Sequence, residues 1–163
     1  MNSINELFLE ELRDAYSSET QIVAGLTKMA EAATSPSLKQ AFTAHQKETV
    51  QQIERLEQAF AILGESPEGN TCEATEGLIA EADEVMGESM PGELLDVALV
   101  MAAQKVEHYE IASYGSLATL ASGMGQSDIA DLLEATLAEE KAADEKLTDL
   151  AEAEINETAF AAG

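Results

Sequence analysis

Four stretches of this sequence each place acidic residues in the middle of an otherwise apolar helical face. In the first stretch, Glu19 falls between Ala15 and Ile22 on a stripe with three- and four-residue spacing. Such spacing is typical of the inward face of an amphipathic helix. The same pattern recurs in three later stretches. The candidate ligands on these faces are Glu19, His45, Glu48, Glu107, Glu110, Glu140 and Asp144.

The candidates are also predicted to lie at one height. The turn at 123–127 falls near the midpoint between Glu107 and Glu140, and Pro36 falls near the midpoint between Glu19 and Glu48. In an antiparallel helical hairpin, residues equidistant from the turn face each other to within about one helical turn. We therefore expect about six carboxylates at one level of the core.

Carboxylates gathered in a core need protons, basic partners or metal ions, because desolvation and mutual repulsion are costly. The chain has only 8 Lys and Arg against 32 Asp and Glu, so basic partners are scarce. Acidic oxygen ligands with one available imidazole suit iron or manganese, and two ions would neutralise the cluster best. A water-filled polar layer or a set of shared protons is the alternative.

The elements that must position these residues are four long helices, predicted at about 4–33, 37–63, 93–122 and 128–153. Pro36, Gly64 and the 123–127 turn interrupt the apolar periodicity. A crossover at 64–92 is predicted to carry one or two short helices, one of them beginning at Cys72. Residues 156–163 are expected to fray. The sequence thus predicts one all-α domain over 1–163, a four-helix bundle of two hairpins joined by a crossover.

Composition restricts the function further. A net charge of −24 disfavours nucleic acids and anionic lipid as partners. No apolar run is long enough to span a bilayer, and the N-terminus lacks signal-peptide features, so we expect a cytoplasmic protein. The single Cys72 excludes an intramolecular disulfide and a cysteine-based metal site. Adaptation to high salt and ordinary acidic solubility both remain open as explanations of the charge.

The chain resembles the YciE/YciF-type branch of the ferritin-like superfamily, a group of stress-associated bacterial proteins. The segments that carry the resemblance are Phe8–Glu19, His45–Thr49, Arg55–Glu57, Cys72–Glu81, Ala103–Ile111 and Glu139–Leu147. The resemblance implies a ferritin-like four-helix bundle with short helices in its crossover, and usually a homodimer.

The resemblance also implies ligand roles. The superfamily pattern is one Glu from each of two helices and a Glu-x-x-His pair from each of the others. By this pattern Glu48 and Glu140 bridge two metal ions, while Glu19, Glu107 and Glu110 complete their coordination. His45 and Asp144 would be additional or supporting ligands.

This sequence departs from the superfamily pattern at two helices. No His follows Glu48 or Glu140 by three residues; Gln52 and Asp144 stand four residues on instead, and His45 precedes Glu48 by three. If the fourth helix is rotated by one residue, Glu139 would take the place of Glu140 as the inward-facing acid.

Two functions remain open from the sequence. The first is a di-iron or mixed iron and manganese protein that reacts with peroxide or oxygen, with ferroxidase- or peroxidase-like activity. The second is a non-enzymatic structural or stress protein with a vestigial or single-metal site.

Overall fold

The computed structural model describes residues 3–162, in which the chain forms an all-α bundle. Residues 1, 2 and 163, the ends of the predicted domain, lie outside the described residues. The helices are α1 (Ile4–Ala32), α2 (Pro36–Leu63), α3 (Glu73–Gly87), α4 (Gly92–Gly123), α5 (Ser127–Leu150), a π-helical segment (Ala151–Ile155) and α6 (Asn156–Ala162). The all-α fold class predicted from the sequence is confirmed. The crossover carries the single helix α3.

Local sequence explains where the long helices begin and end. Ser35 accepts a hydrogen bond from the backbone N–H of Leu38 at 3.3 Å, and Pro36 occupies the first turn of α2. A serine cap followed by proline is a common helix start, since proline there loses no intrahelical bond. Gly64 ends α2 with φ of 69°, a left-handed conformation that glycine adopts without steric cost. These signals fix the lengths of the hairpins.

Helices α1 and α2 form one antiparallel hairpin, and α4 and α5 form the other. Helix α1 also packs against α4, and α2 against α5, while α3 lies across α1 and α4. Helix α2 is antiparallel to α5 and the segment that follows it. Ser35, before the start of α2, bonds Glu154 near the C-terminus, and Arg55, late in α2, bonds Thr136 in the first half of α5. All four long helices therefore line one central axis.

The apolar core is divided into two clusters at opposite ends of the bundle. The Phe42 cluster includes Ile22, Leu26, Met29, Leu38, Phe42, Leu99, Val100, Leu147 and Ile155. The Phe60 cluster includes Phe8, Leu12, Leu56, Phe60, Tyr114, Leu117, Ile129 and Leu133. On each long helix the two sets are separated by buried polar residues. A polar layer thus interrupts the core at mid-height.

Asp96 fixes the height of α4 relative to the α1–α2 turn. Its carboxylate accepts hydrogen bonds from the backbone N–H of Thr34 at 2.7 Å, from the Thr34 hydroxyl at 2.5 Å and from the backbone N–H of Ser35 at 2.8 Å. Asp96 is only 4% exposed, so these bonds replace the solvation that burial removes. This clamp sets which residues of α1 and α4 meet in the polar layer.

The C-terminal segment differs from the sequence prediction. The fourth long helix is predicted to end near 153, but α5 ends at Leu150 and a π-helical segment continues into α6, which has no buried residue. Ile155 is 3% exposed and belongs to the Phe42 cluster, and Glu154 accepts a 2.7 Å hydrogen bond from Ser35. Burial of Ile155 and this bond hold the π-helical segment Ala151–Ile155 in place.

None of the helices in residues 3–162 combines the length and apolar character required to cross a membrane.

Candidate metal centre

The polar layer receives side chains from all four long helices. Its members are nearly inaccessible to solvent, with at most 7% exposure. The layer consists of Glu19 from α1, His45 and Gln52 from α2, Glu107 and Glu110 from α4, and Glu140 from α5. Four of these are carboxylic acids, and one is an imidazole.

The His45 imidazole contacts acidic side chains through both of its ring nitrogens. Its Nε2 is 3.2 Å from Glu107 Oε1 and 3.4 Å from Glu140 Oε2, and its Nδ1 is 3.3 Å from Glu48 Oε2. The two inner contacts have ion-pair distances but lack hydrogen-bond geometry. His45 therefore links the surface side of α2 to the carboxylates inside the bundle.

Four residues of the layer offer ligand atoms at metal-binding spacing. One atom from each of His45, Glu107, Glu110 and Glu140 lies within 4.8 Å of all the others. Oxygen ligands with one imidazole are a donor set that suits iron and manganese. These four residues thus fit a metal ion of that kind.

Many polar atoms of the layer have no hydrogen-bond partner among the described residues. They are Glu19 Oε2, His45 Nε2, Gln52 Oε1, Glu107 Oε2, both carboxyl oxygens of Glu110, and Glu140 Oε2. Buried polar atoms are ordinarily satisfied, because an unpaired one costs about 1–3 kcal/mol. Seven such atoms in one layer indicate that the layer is completed either by protons shared between the acids or by a bound cation.

Burial strongly raises the pKa values of two acids in the layer, Glu140 and Glu110. Loss of solvation raises the pKa of Glu140 to about 10, with Glu107 adding to the effect. Burial likewise raises the pKa of Glu110 well above its ordinary value, with further contributions from Glu19 and Glu140. Without a cation the layer therefore retains protons on these two acids at neutral pH.

The pKa values of Glu19 and His45 depend both on burial and on specific contacts. Burial raises the pKa of Glu19 to about 7, although a hydrogen bond from Tyr114 opposes this rise. For His45, burial lowers the pKa, but contacts with Glu107 and Glu48 outweigh it and raise the pKa to about 11. The imidazole is thus protonated at neutral pH when carboxylates are its only partners.

The structure places two of the predicted ligands outside the layer. The Glu48 side chain is 48% exposed, and it contacts only the outer nitrogen of His45. Asp144 accepts a 3.2 Å hydrogen bond from Gln104 on α4 and lies 3.4 Å from His108 Nδ1. Both residues stand at the edges of their inward stripes, rotated toward a neighbouring helix. The other five candidates, Glu19, His45, Glu107, Glu110 and Glu140, are brought together.

Two neighbouring acids on α5 have different environments. Glu140 is fully buried and accepts a short hydrogen bond from Gln52. Glu139 forms two 2.6 Å hydrogen bonds with Arg55 and accepts a third, at 3.1 Å, from Gln52. The Gln52 amide nitrogen is therefore held by both acids, and its oxygen is left facing the layer. The helical register thus assigns Glu140, and not Glu139, to the layer.

The sequence did not reveal the pair between Arg55 and Glu139. It depends on how α2 and α5 are rotated against each other, which apolar spacing on either helix does not define. The sequence offered one indirect indication of this ion pair. With only 8 Lys and Arg against 32 Asp and Glu, an arginine close to the candidate ligands is expected to pair with an acid.

The fold and the layer define a class: an all-α bundle protein whose interior carries a carboxylate and histidine cluster contributed by every long helix. Within that class, the chain belongs to the family described as domain of unknown function DUF892, whose model matches residues 3–160.

Two relatives are similar over nearly the whole chain. Protein YciF of Escherichia coli (strain K12) is 49% identical over 165 residues, covering 98% of this chain and 96% of that protein. The crystal structure of the E. coli stress protein YciF superimposes with a TM-score of 0.92, covering 96% of this chain and 99% of that one. The protein YcfI of Rhodopseudomonas palustris is also 49% identical, with a TM-score of 0.88 over 90% of this chain and 94% of its own. The resemblance to the YciF type is confirmed.

Proposed function

We propose that this protein is a stress-associated, ferritin-like protein that binds two metal ions, iron or a mixture of iron and manganese, in the polar layer. The observation that carries the proposal is that four helices contribute seven buried polar atoms without a hydrogen bond among the described residues, and that ligand atoms of His45, Glu107, Glu110 and Glu140 lie within 4.8 Å of one another. The association with stress comes from the relative, which is described as a stress protein.

Charge balance supports two ions. The layer contains four carboxylic acids, Glu19, Glu107, Glu110 and Glu140, and two divalent cations neutralise four carboxylates. His45, Glu107, Glu110 and Glu140 supply the ligand atoms that already lie close together. Glu19 adds a further carboxyl oxygen, and the Gln52 amide contributes an oxygen held in place by its bonded nitrogen.

A bound pair of iron ions would supply one-electron redox chemistry toward oxygen or peroxide. The chain's own contribution is to hold the carboxylates in a fixed arrangement and to exclude water with the apolar clusters above and below. Tyr114 and Gln52 restrain Glu19 and Glu140 through hydrogen bonds. Restrained ligands in a dry site are what redox-active metal centres require.

A second candidate is a non-catalytic protein with a single-metal site. The observation that favours it is the lack of any assembled Glu-x-x-His pair in the layer: His45 is the one imidazole there among the described residues, and Glu48 faces outward. A site with one imidazole and an unfilled bridging position would bind metal without rapid turnover.

Metal content decides between these candidates. The protein is equilibrated anaerobically with Fe(II), dialysed and analysed for iron, and absorbance is then followed after oxygen or peroxide is added. We expect two ions per chain and an absorbance change in the wild type, and a loss of binding in Glu140→Gln. The exposed acid Glu145, changed to Gln, is the matched control and should bind as the wild type does. One ion without an absorbance change favours the second candidate, and no ion refutes both.

We also propose that the protein is a homodimer, as its family resemblance implies. Leu94 and Met101 are 52% and 60% exposed and lie seven residues apart on one face of α4, which suits an apolar contact. Sedimentation equilibrium should give twice the chain mass, and Met101→Lys should lower it if this face is the contact.

A further inference from the structure

A cavity of about 150 Å³ lies between α2 and α5 and reaches the polar layer from the surface. Its walls are formed largely by small side chains, Ala44 on α2 and Ala142 and Ala143 on α5, and its inner end is formed by His45 and Glu107. Both inner residues are more than nine-tenths buried, and each has an atom without a hydrogen bond among the described residues, His45 Nε2 and Glu107 Oε2. The cavity thus connects solvent to two members of the candidate metal centre.

The mouth of the cavity carries charge. Glu48, Glu139 and Lys146 line it, but the Glu139 carboxylate is already bound by both nitrogens of Arg55. Glu48 has one protein partner, the outer nitrogen of His45, and is half-exposed. A half-exposed carboxylate at the entrance of a protein with a net charge of −24 attracts cations, because narrow clefts focus the surrounding field.

We propose that this cavity admits divalent metal ions to the layer and that Glu48 is the carboxylate that first binds them. The inference rests on the proposed function, since it concerns how the same centre is loaded. It gives Glu48, which the structure leaves outside the layer, a role at the entrance. His45 lies between the mouth of the cavity and the polar layer. One of its nitrogens contacts Glu48 at the mouth, and the other contacts Glu107 and Glu140 in the layer.

A second cavity near Glu107 is less suited to cations. It lies between α1, α3 and α4, measures about 20 Å³ and is lined mainly by apolar side chains such as Leu26, Met29 and Ile79. That volume accommodates about one water molecule. Its one acidic mouth residue, Asp83, is paired with Lys28 at 2.8 Å. Entry between α2 and α5 is therefore wider and more favourable in charge.

Stopped-flow uptake of Co(II), followed by its visible absorbance, tests the route. Ala143→Phe should fill the cavity and slow both uptake and release at least tenfold, while the number of ions bound at equilibrium stays the same. The matched control is Ala138→Phe, an exposed position on the same helix that lines a different cavity, between α4 and α5. It should leave both rates unchanged. Ala44→Leu fills the cavity from the opposite wall, so the test does not depend on one variant folding.

Charge variants at the mouth test the role of Glu48. Glu48→Gln should slow Co(II) uptake several-fold at low ionic strength, and Lys146→Gln should accelerate it, because removing the positive charge strengthens the attraction. Both differences should shrink in high salt. A fall in the equilibrium number of bound ions in Glu48→Gln would instead make Glu48 a ligand and overturn its entrance role.

Two outcomes separate this inference from the proposed function. Wild-type protein that binds Co(II) at the same rate as Ala143→Phe and Ala44→Leu would refute the route and leave the metal centre intact. Wild-type protein that binds no Co(II) at equilibrium would refute the metal centre and the route together.

Discussion

The phenolic hydroxyl of Tyr114 on α4 donates a hydrogen bond to Glu19 Oε1 on α1, inside the bundle. Both side chains are almost completely buried, at 1% and 0% exposure. The bond satisfies one oxygen of Glu19 and leaves Oε2 without a partner in the layer. Tyr114 therefore joins the Phe60 cluster, to which its ring belongs, to the polar layer.

Removing this hydroxyl should destabilise the metal-free protein. At pH 8, above the raised pKa of about 7 of Glu19, we expect Tyr114→Phe to lower the free energy of unfolding by about 1.5–3 kcal/mol, the usual range for a hydrogen bond to a charged group. Urea denaturation measures the change. Tyr16→Phe is the control, because the Tyr16 hydroxyl bonds Glu57 at 3.2 Å at the surface, and its loss should cost less than about 1 kcal/mol. Equal losses in the two variants would contradict the assignment.

The stability of the metal-free protein should fall as pH rises from about 4.5 to 7. Burial raises the pKa of Glu19 from 4.5 to about 7, so between these values the folded chain holds a proton that the unfolded chain has released. Unfolding is then favoured by higher pH. Urea titrations at pH 5, 6 and 7 should show this slope, and Glu19→Gln should reduce it relative to the wild type. A wild-type stability that increases over this interval would contradict the prediction.

Neutralising Glu140 should stabilise the metal-free protein at pH 7. Burial raises the pKa of Glu140 from 4.5 to about 10, so folding at pH 7 requires protonation of a group that is ionised in the unfolded chain. Glu140→Gln removes this cost, and we expect a gain of about 1–3 kcal/mol. Thermal unfolding in chelator measures it, with Glu145→Gln as the surface control. Loss of stability in Glu140→Gln alone would show that the charge is needed for folding.

The pair between Arg55 and Glu139 should contribute measurably to stability. Its side chains are 21% and 29% exposed and share two 2.6 Å hydrogen bonds. A double-mutant cycle with Arg55→Gln and Glu139→Gln should give a coupling energy of about 1 kcal/mol. The more exposed pair of Lys28 and Asp83, at 53% and 43%, should give less than about 0.5 kcal/mol. The reverse order would contradict the prediction that the less exposed pair contributes more.

Helix existence and most helix boundaries followed from local sequence. Capping at Ser35, proline at Pro36 and the left-handed Gly64 act within a few residues, so their effect can be read without the fold. The C-terminal segment could not be read this way. Its order depends on Ile155 reaching the Phe42 cluster and on Glu154 reaching Ser35, 119 positions away.

Helical periodicity predicted the residues of the candidate site at the centres of the apolar stripes, but not the positions of residues at the stripe edges. Glu19, Glu107 and Glu140 interrupt apolar stripes at their centres, and the structure buries them. Glu48 and Asp144 lie at stripe edges, about 40–60° from the buried line at 100° per residue. Whether an edge position faces the interior depends on how each helix rotates against its neighbours, and this is a property of the assembled bundle.

The polar layer between two apolar clusters has a consequence for how the helices align along their axes. Alanine-rich helices can slide past each other with little change in apolar contact, because their surfaces are smooth. Here a shift of α5 by one turn would carry Glu140 away from His45 and Gln52 and into hydrocarbon surroundings, where a carboxyl group finds no partner. Burial of the layer therefore disfavours arrangements in which a helix is shifted along the bundle axis. The residues that form the candidate metal site also fix the relative positions of the four helices along that axis.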